Sequence, residues 1–173
     1  IWKRELPYQR VYMGGTDMHA SPTVADGMVF ASSNAMEYYG INATTGNIEW
    51  TYRDASAQEV IVCSTIYKDS KLFLIDKFSI VCVDAKDGRS VWETYLGEEL
   101  YVSPSYADDK LYVVTDQRSI YVLNATNGGK LAYFGTGSNS WSSPTICEGK
   151  VYVGNNDWNV YCLAEYPTVT VTP

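Results

Sequence analysis

Several residue patterns that accompany common chemistries are missing from this sequence. It contains one histidine, His19, and four cysteines, none of them in a CxxC pair or with the spacing of a zinc site. No run of 18 apolar residues occurs, which is the length that a membrane-spanning helix needs. No glycine-rich loop joins a strand to a helix. We therefore expect no metal ligands, no membrane insertion and no phosphate-binding loop.

Positive charge is also scarce. Thirteen Lys and Arg residues stand against 20 Asp and Glu, which gives a net charge of -7, and the basic residues do not cluster. Proteins that bind nucleic acid present a basic surface, so we expect no nucleic-acid partner. The chain starts at Ile1 without a Met or a signal peptide, which we interpret as a mature protein or a piece of a longer one.

One pattern recurs four times. The copies are marked by a short Ser-Pro-Thr-like segment, and the intervals between them are 42, 40 and 40 residues; they contain Thr23, Thr65, Ser105 and Thr145. Two apolar segments rich in β-branched and aromatic residues follow in each copy, joined by turn residues such as Asp26-Gly27. A repeat of this length made of short strands is typical of a propeller blade. The sequence predicts an all-β fold, a β-propeller of four-stranded blades.

The repeats predict the organisation of a domain over residues 1–165. Three whole blades are expected at about 7–52, 53–95 and 96–134, and a fourth supplies only three strands over 135–164. Residues 1–6 resemble the last strand of a repeat, so we expect them to complete the fourth blade and cover its bare edge. Residues 166–173 are rich in Thr and Pro and are predicted to form a linker or tail, although their alternation would also allow a short strand.

A turn followed by a tryptophan ends the first two repeats. Asn42-Ala43-Thr44-Thr45-Gly46 leads to Trp50, and Asp84-Ala85-Lys86-Asp87-Gly88 leads to Trp92. This box resembles the pyrroloquinoline-quinone-like propeller repeats of quinoprotein dehydrogenases and of outer-membrane assembly lipoproteins. The resemblance implies that each tryptophan docks between adjacent blades. We assign this structural role to four residues: Trp2, Trp50, Trp92 and, in the looser third box, Tyr133, with Ala132 as the alternative.

The same resemblance leaves open how many blades form the ring, since the family usually has seven or eight blades and this chain accounts for four. Three arrangements remain open. The four blades close alone, two chains form an eight-bladed ring, or further blades lie outside this sequence.

Enzymatic chemistry in this family implies a quinone held by adjacent cysteines, a stacking tryptophan and a calcium ion. No Cys-Cys pair occurs here, and no general base can be nominated. Asp76, Asp116 and Asp157 recur between the second and third strands, where a turn role is favoured over a ring that binds a cation. We therefore predict no catalytic residue, no cofactor and no enzyme.

The residues that precede each innermost strand are the best candidates for a binding surface. His19, Ile61, Tyr101 and Trp141 each stand two positions before the Ser-Pro site or its equivalent, and alternation would direct them to one side. In a closed ring they would meet at one channel mouth. Such a mouth suits a small ligand or a partner peptide, although the same side chains could simply plug the channel.

Two further features bear on the location of the protein. Cys82 and Cys162 occupy equivalent strand positions and are predicted to be buried, with no disulfide pairing favoured. Asn42 and Asn124 begin Asn-x-Thr sequons, which permit glycosylation in a secreted protein but also suit the turn.

We predict a non-enzymatic interaction or structural module of a secreted or cell-surface protein, with a protein partner or self-association. The alternatives are a fragment of a quinone-dependent dehydrogenase, and a binder of a small ligand or carbohydrate at the channel mouth.

Overall fold

The computed structural model describes residues 1–7, 20–33, 37–53 and 63–164. All regular structure within these residues is β, and it forms four antiparallel sheets that follow one another along the chain. The all-β propeller fold predicted from the repeat is thereby confirmed. Within the same residues, no helix is long and apolar enough to cross a membrane.

Each sheet is one blade, and its strands pair in sequence order. Blade 1 contains β1 (Thr23–Ala25), β2 (Met28–Ser33), β3 (Glu37–Asn42) and β4 (Ile48–Arg53). Blade 2 contains β5 (Ile66–Lys68), β6 (Lys71–Asp76), β7 (Ser79–Asp84) and β8 (Ser90–Tyr95). Blade 3 contains β9 (Ser105–Ala107), β10 (Lys110–Val114), β11 (Ser119–Asn124) and β12 (Lys130–Gly135). Blade 4 contains β13 (Thr145–Cys147), β14 (Lys150–Gly154) and β15 (Val160–Ala164).

The first two strands of every blade are joined by a two-residue hairpin. Both residues of each turn have positive φ, between 46° and 74°, as a type I′ turn requires; the turns are Asp26-Gly27, Asp69-Ser70, Asp108-Asp109 and Glu148-Gly149. Asp, Ser and Glu adopt this conformation at some cost, and the twist of the turn matches the twist of the strands it joins. The turn chemistry therefore sets the same strand register four times.

The turn after the third strand is stabilised by the Asn or Asp side chain at its start, which accepts hydrogen bonds from the backbone of the turn. Asn42 Oδ1 accepts hydrogen bonds from the backbone N–H groups of Thr44 and Thr45, each at 3.0 Å. Asp84 Oδ1 accepts from the Lys86 N–H at 2.8 Å, and Asn124 Oδ1 from the Thr126 N–H at 2.8 Å. Because Asp serves as well as Asn, the turn accounts for the recurrence of the two sequons.

The core lies between the blades, and it is densest where a blade has neighbours on both sides. In blade 2 every residue from Leu72 to Ile75 and from Ile80 to Val83 is at most 1% exposed. Cys82 is buried as predicted, and burial raises the pKa of its thiol to about 11. Cys162 is exposed, which corrects the prediction that it is buried. Among the described residues no outer strand lies beside β15, whereas β8 covers the edge of β7.

Residues 1–7 lie along blade 1 and are not part of a strand. Their contacts, described below, are made with the turn between β3 and β4. Pairing of residues 1–6 with β15, which would complete blade 4, stays a prediction.

A double-cysteine variant tests this pairing. In blades 1 and 2 the outer-strand tryptophan lies opposite Gly40 and Cys82, and the next residue lies opposite Tyr39 and Val81. The same register places Lys3 opposite Tyr161. We expect Lys3→Cys/Tyr161→Cys, made with Cys147 and Cys162 replaced by serine, to be joined by a short bismaleimide.

Gel mobility then distinguishes the arrangements. A fast-migrating monomer indicates closure within one chain, and a covalent dimer indicates completion by a second copy. Absence of any cross-link beyond that of the single-cysteine variants would contradict the pairing. Light scattering supplies an independent check, since one chain has a mass of 19.3 kDa.

Candidate functional site

Three tryptophans occupy equivalent positions against the turn of the next blade. The Nε1–H of Trp50 donates to Ala85 O at 3.0 Å, and that of Trp92 donates to Ala125 O at 3.2 Å. The Nε1–H of Trp2 donates to Ala43 O at 2.8 Å. We call each such place, formed by the turn alanine and the glycine three residues after it, an indole seat.

The glycine of each seat is required by the ring that lies on it. A Cβ built on Gly88 would lie 2.7 Å from Trp50 Cε3, and one built on Gly46 would lie 2.6 Å from Trp2 Cδ2. Both glycines also have φ of +72°. A side chain at either position would therefore displace the indole and strain the backbone.

Residues 1–4 dock on blade 1 in the way that an outer strand docks on the next blade. Besides the Trp2 hydrogen bond, Arg4 Nη2 donates to Asn47 Oδ1 at 2.8 Å and Arg4 Nε donates to Gly46 O. The seat on blade 1 is thus filled by a residue from outside the four described sheets.

The third docking residue differs from the one assigned. Ala132 pairs with Val122, as Trp50 pairs with Gly40, so Ala132 stands in the tryptophan place. Tyr133 points to the other face of β12, where its hydroxyl lies 3.3 Å from Ser119 Oγ and its ring packs against Tyr121. Counting four residues from the turn glycine, as from Gly46 to Trp50, gives Ala132 from the sequence alone.

Of the four channel-mouth candidates, the structure describes Tyr101 and Trp141, while His19 and Ile61 lie outside the described residues. Trp141 is 71% exposed, and its Nε1–H donates to Asp116 Oδ1 at 2.8 Å. Tyr101 is partly buried, and its hydroxyl donates to Glu99 Oε2 at 2.7 Å. Asp116 links the two loops, because its backbone N–H donates to Glu99 O at 2.9 Å.

Amide side chains extend this arrangement across blade 4. Asn139 Nδ2 donates to Asp116 Oδ1 at 3.2 Å, and Asn156 Nδ2 donates to Asn139 Oδ1 at 2.9 Å. The backbone repeats the second link, since Asn156 N–H donates to Asn139 O at 3.0 Å. We call the connected residues the mouth network; they are Glu99, Tyr101, Asp116, Asn139, Trp141 and Asn156. Its side chains offer an exposed aromatic face beside carboxylate and amide groups.

The recurring aspartates have separate roles. Asp76 ends β6 and is buried, Asp116 holds Trp141, and Asp157 accepts a hydrogen bond from the Tyr161 hydroxyl at 2.6 Å. That bond lowers the pKa of Asp157. In the part of the chain that the structure describes, no three His, Cys, Asp or Glu side chains converge as metal ligands would.

A second carboxylate, Glu98, accepts hydrogen bonds from hydroxyl groups of blade 3. Glu98 Oε1 accepts from Ser119 Oγ and Tyr121 Oη, each at 3.0 Å, and Oε2 accepts from Thr115 Oγ1. Burial, together with the bond to Glu98, raises the pKa of Tyr121 to about 12. The cluster joins the loop after β8 to both ends of the β10–β11 turn, so it fixes the backbone that carries Glu99 and Asp116.

Comparison with known proteins places these features in a family. The family model described as outer membrane protein assembly factor BamB matches residues 2–68 and 61–165. The chain belongs to this family of PQQ-like propeller repeats. The indole seats and their glycines are therefore the form that the PQQ-like repeat takes in this chain. No curated protein matches the chain significantly.

Solved structures agree on the fold of this PQQ-like propeller. BamB from Moraxella catarrhalis superimposes with a TM-score of 0.67 at 16% identity, over 79% of this chain and 43% of that one. The quinohemoprotein alcohol dehydrogenase from Comamonas testosteroni superimposes with a TM-score of 0.72 at 18% identity, over 80% of this chain and 29% of that one. The computationally designed Ika4 protein superimposes with a TM-score of 0.75 at 12% identity, over 90% of this chain and 95% of that one. The chain thus spans less than half the length of the matched BamB.

Proposed function

We propose that this PQQ-like propeller is a non-enzymatic interaction or structural module of a secreted or cell-surface protein. The observation that carries this proposal is the mouth network. Turns and indole seats account for most of the residues that recur from blade to blade, whereas Trp141 and Asn139 have different residues in their place in the other repeats and lie together beside Asp116. Residues that are not needed for the fold are the ones free to serve a partner.

The geometry of Trp141 supports a binding role. Its ring is 71% exposed, yet its indole N–H already has an acceptor in Asp116. A held aromatic ring loses little conformational freedom when a partner covers it, and tryptophan is enriched among the residues that dominate binding energy. We therefore place a protein partner, or a second copy of the chain, at this mouth. The family model is named for a protein assembly factor, which supports a protein partner in general terms.

Addition of pyrroloquinoline quinone and calcium tests the non-enzymatic assignment. We expect no bound chromophore after gel filtration and no alcohol-dependent dye reduction, because the chain has no adjacent cysteines to hold the quinone. A stoichiometric chromophore together with turnover would overturn the proposal and favour the dehydrogenase fragment.

A carbohydrate or small ligand at the mouth is the second candidate, and the exposed Trp141 ring beside amide groups favours it. A glycan screen should then give binding that falls at least about 5-fold in Trp141→Ala, since a stacked aromatic contributes on the order of 1 kcal/mol or more. Trp158→Ala is the matched control, because that ring is 98% exposed and lies outside the mouth network. Equal binding by Trp141→Ala and the unsubstituted protein would exclude this candidate.

A further inference from the structure

The interface between blades 3 and 4 differs from the other described interfaces. Blade 3 carries Ala132 where blades 1 and 2 carry Trp50 and Trp92. A cavity of about 490 Å³ lies beside this alanine. It is lined mainly by apolar side chains from both blades, including Tyr112, Val122, Ala132, Phe134, Val151 and Leu163. The missing indole and the cavity therefore occur at the same interface.

Comparison with the interface of blades 1 and 2 shows where the space comes from. A cavity of about 350 Å³ lies there as well, lined by Met28, Phe30, Ser70 and others, and the register equates Phe30 with Tyr112. Its lining does not extend to Gly40 or Trp50, because the indole fills that part of the interface. Between blades 3 and 4 the lining does include the equivalent pair, Val122 and Ala132.

The walls of the larger cavity suit a flat apolar group. Val122 and Val151, which line it, are buried, at 8% and 4% exposure. Leu131 and Phe134 also line it and are exposed, at 53% and 38%, so the cavity reaches solvent on their side. Apolar walls with an open rim favour burial of a ring by the hydrophobic effect while a polar substituent stays hydrated.

We propose that this cavity binds a small planar aromatic molecule of about the size of indole, in the place that Trp50 and Trp92 fill at their own interfaces. The occupant is inferred from the molecule itself, since Trp50 places an indole at the equivalent position between blades 1 and 2. The site is separate from the mouth network, so it goes beyond the proposed function and does not depend on it.

The full chain can be tested with 5-fluoroindole as the probe, followed by ¹⁹F NMR. We expect saturable shift or broadening with a Kd of about 1 mM, as is reasonable for a ligand with so few atoms. Ala132→Trp should weaken binding at least about 10-fold, because the new indole occupies the cavity. Tyr133→Trp is the matched control: it adds the same ring to the same strand on the opposite face, and binding should not change.

Val122→Phe provides a second obstruction if Ala132→Trp fails to fold, as judged by circular dichroism, and it should weaken binding in the same way. Absence of saturable binding to the unsubstituted chain would overturn the proposal. Equal binding by the obstructed variants and Tyr133→Trp would also overturn it. If the probe binds only after residues 165–173 are removed, those residues occupy the cavity and the proposal is again overturned.

Discussion

Replacing Trp50 by alanine should lower the free energy of unfolding by about 3–5 kcal/mol, the range for a large aromatic side chain removed from a core. Trp50 is 7% exposed, and its ring centroid lies 5.9 Å from that of Phe30. Its removal leaves a cavity between blades 1 and 2 and takes the donor away from Ala85 O. Urea unfolding followed by circular dichroism measures the change.

Alanine variants of two other tryptophans serve as controls for the loss expected in Trp50→Ala. Trp158 is 98% exposed, so Trp158→Ala should change the free energy of unfolding by no more than about 0.5 kcal/mol. Trp92 has the same seat as Trp50 but is only partly buried, so Trp92→Ala should give an intermediate loss. A loss for Trp50→Ala no larger than that for Trp158→Ala would show that the indole seat does not stabilise the blade interface.

The features that follow from local chemistry were predictable from the sequence. A hairpin turn such as Asp26-Gly27 is recognised because few residue pairs adopt positive φ readily. The spacing of turns and apolar segments then gives the strands, and their period gives the blades. Ala132 could also have been assigned by counting from Gly128, but the extra Gly129 made the neighbouring Tyr133 look equally suitable.

Features that depend on contacts between distant loops were not predictable. The repeat pattern predicts a turn role for Asp116, whereas its bond to Trp141 joins residues 25 positions apart. The exposure of Cys162 depends on which strand, if any, lies beside β15, and the sequence of β15 resembles that of the buried β7. The local residue pattern specifies that a segment forms a strand, whereas the burial of that strand depends on the elements that pack against it.

The contact between Gly40 and Trp50 leads to the second large effect. A Cβ built on Gly40 would lie 2.2 Å from Trp50 Cε2 and 2.3 Å from Nε1. The ring cannot move aside easily, because Phe30 packs against it and Gly88 lies beneath it. Gly40→Ala must therefore distort the strand or displace the indole, and we expect a loss of about 2–4 kcal/mol in the free energy of unfolding.

A matched glycine and a double variant separate this clash from a general effect of alanine in a strand. Gly154 lies in β14, and a Cβ there would meet Ser142 at an ordinary 3.5 Å, so Gly154→Ala should cost less than about 1 kcal/mol. In a Trp50→Ala background the clash is gone, so Gly40→Ala should cost little and the two losses should fall short of additivity by at least about 1.5 kcal/mol. Strict additivity would contradict a steric cause. Blade 3 has a side chain and no indole at this pair, because Val122 lies opposite Ala132 where blade 1 has Gly40 opposite Trp50. Blade 2 has both, because Cys82 lies opposite Trp92, whose ring is less buried than that of Trp50. The need for glycine at position 40 therefore comes from the place of the buried Trp50 ring, which is the relation that the double variant measures.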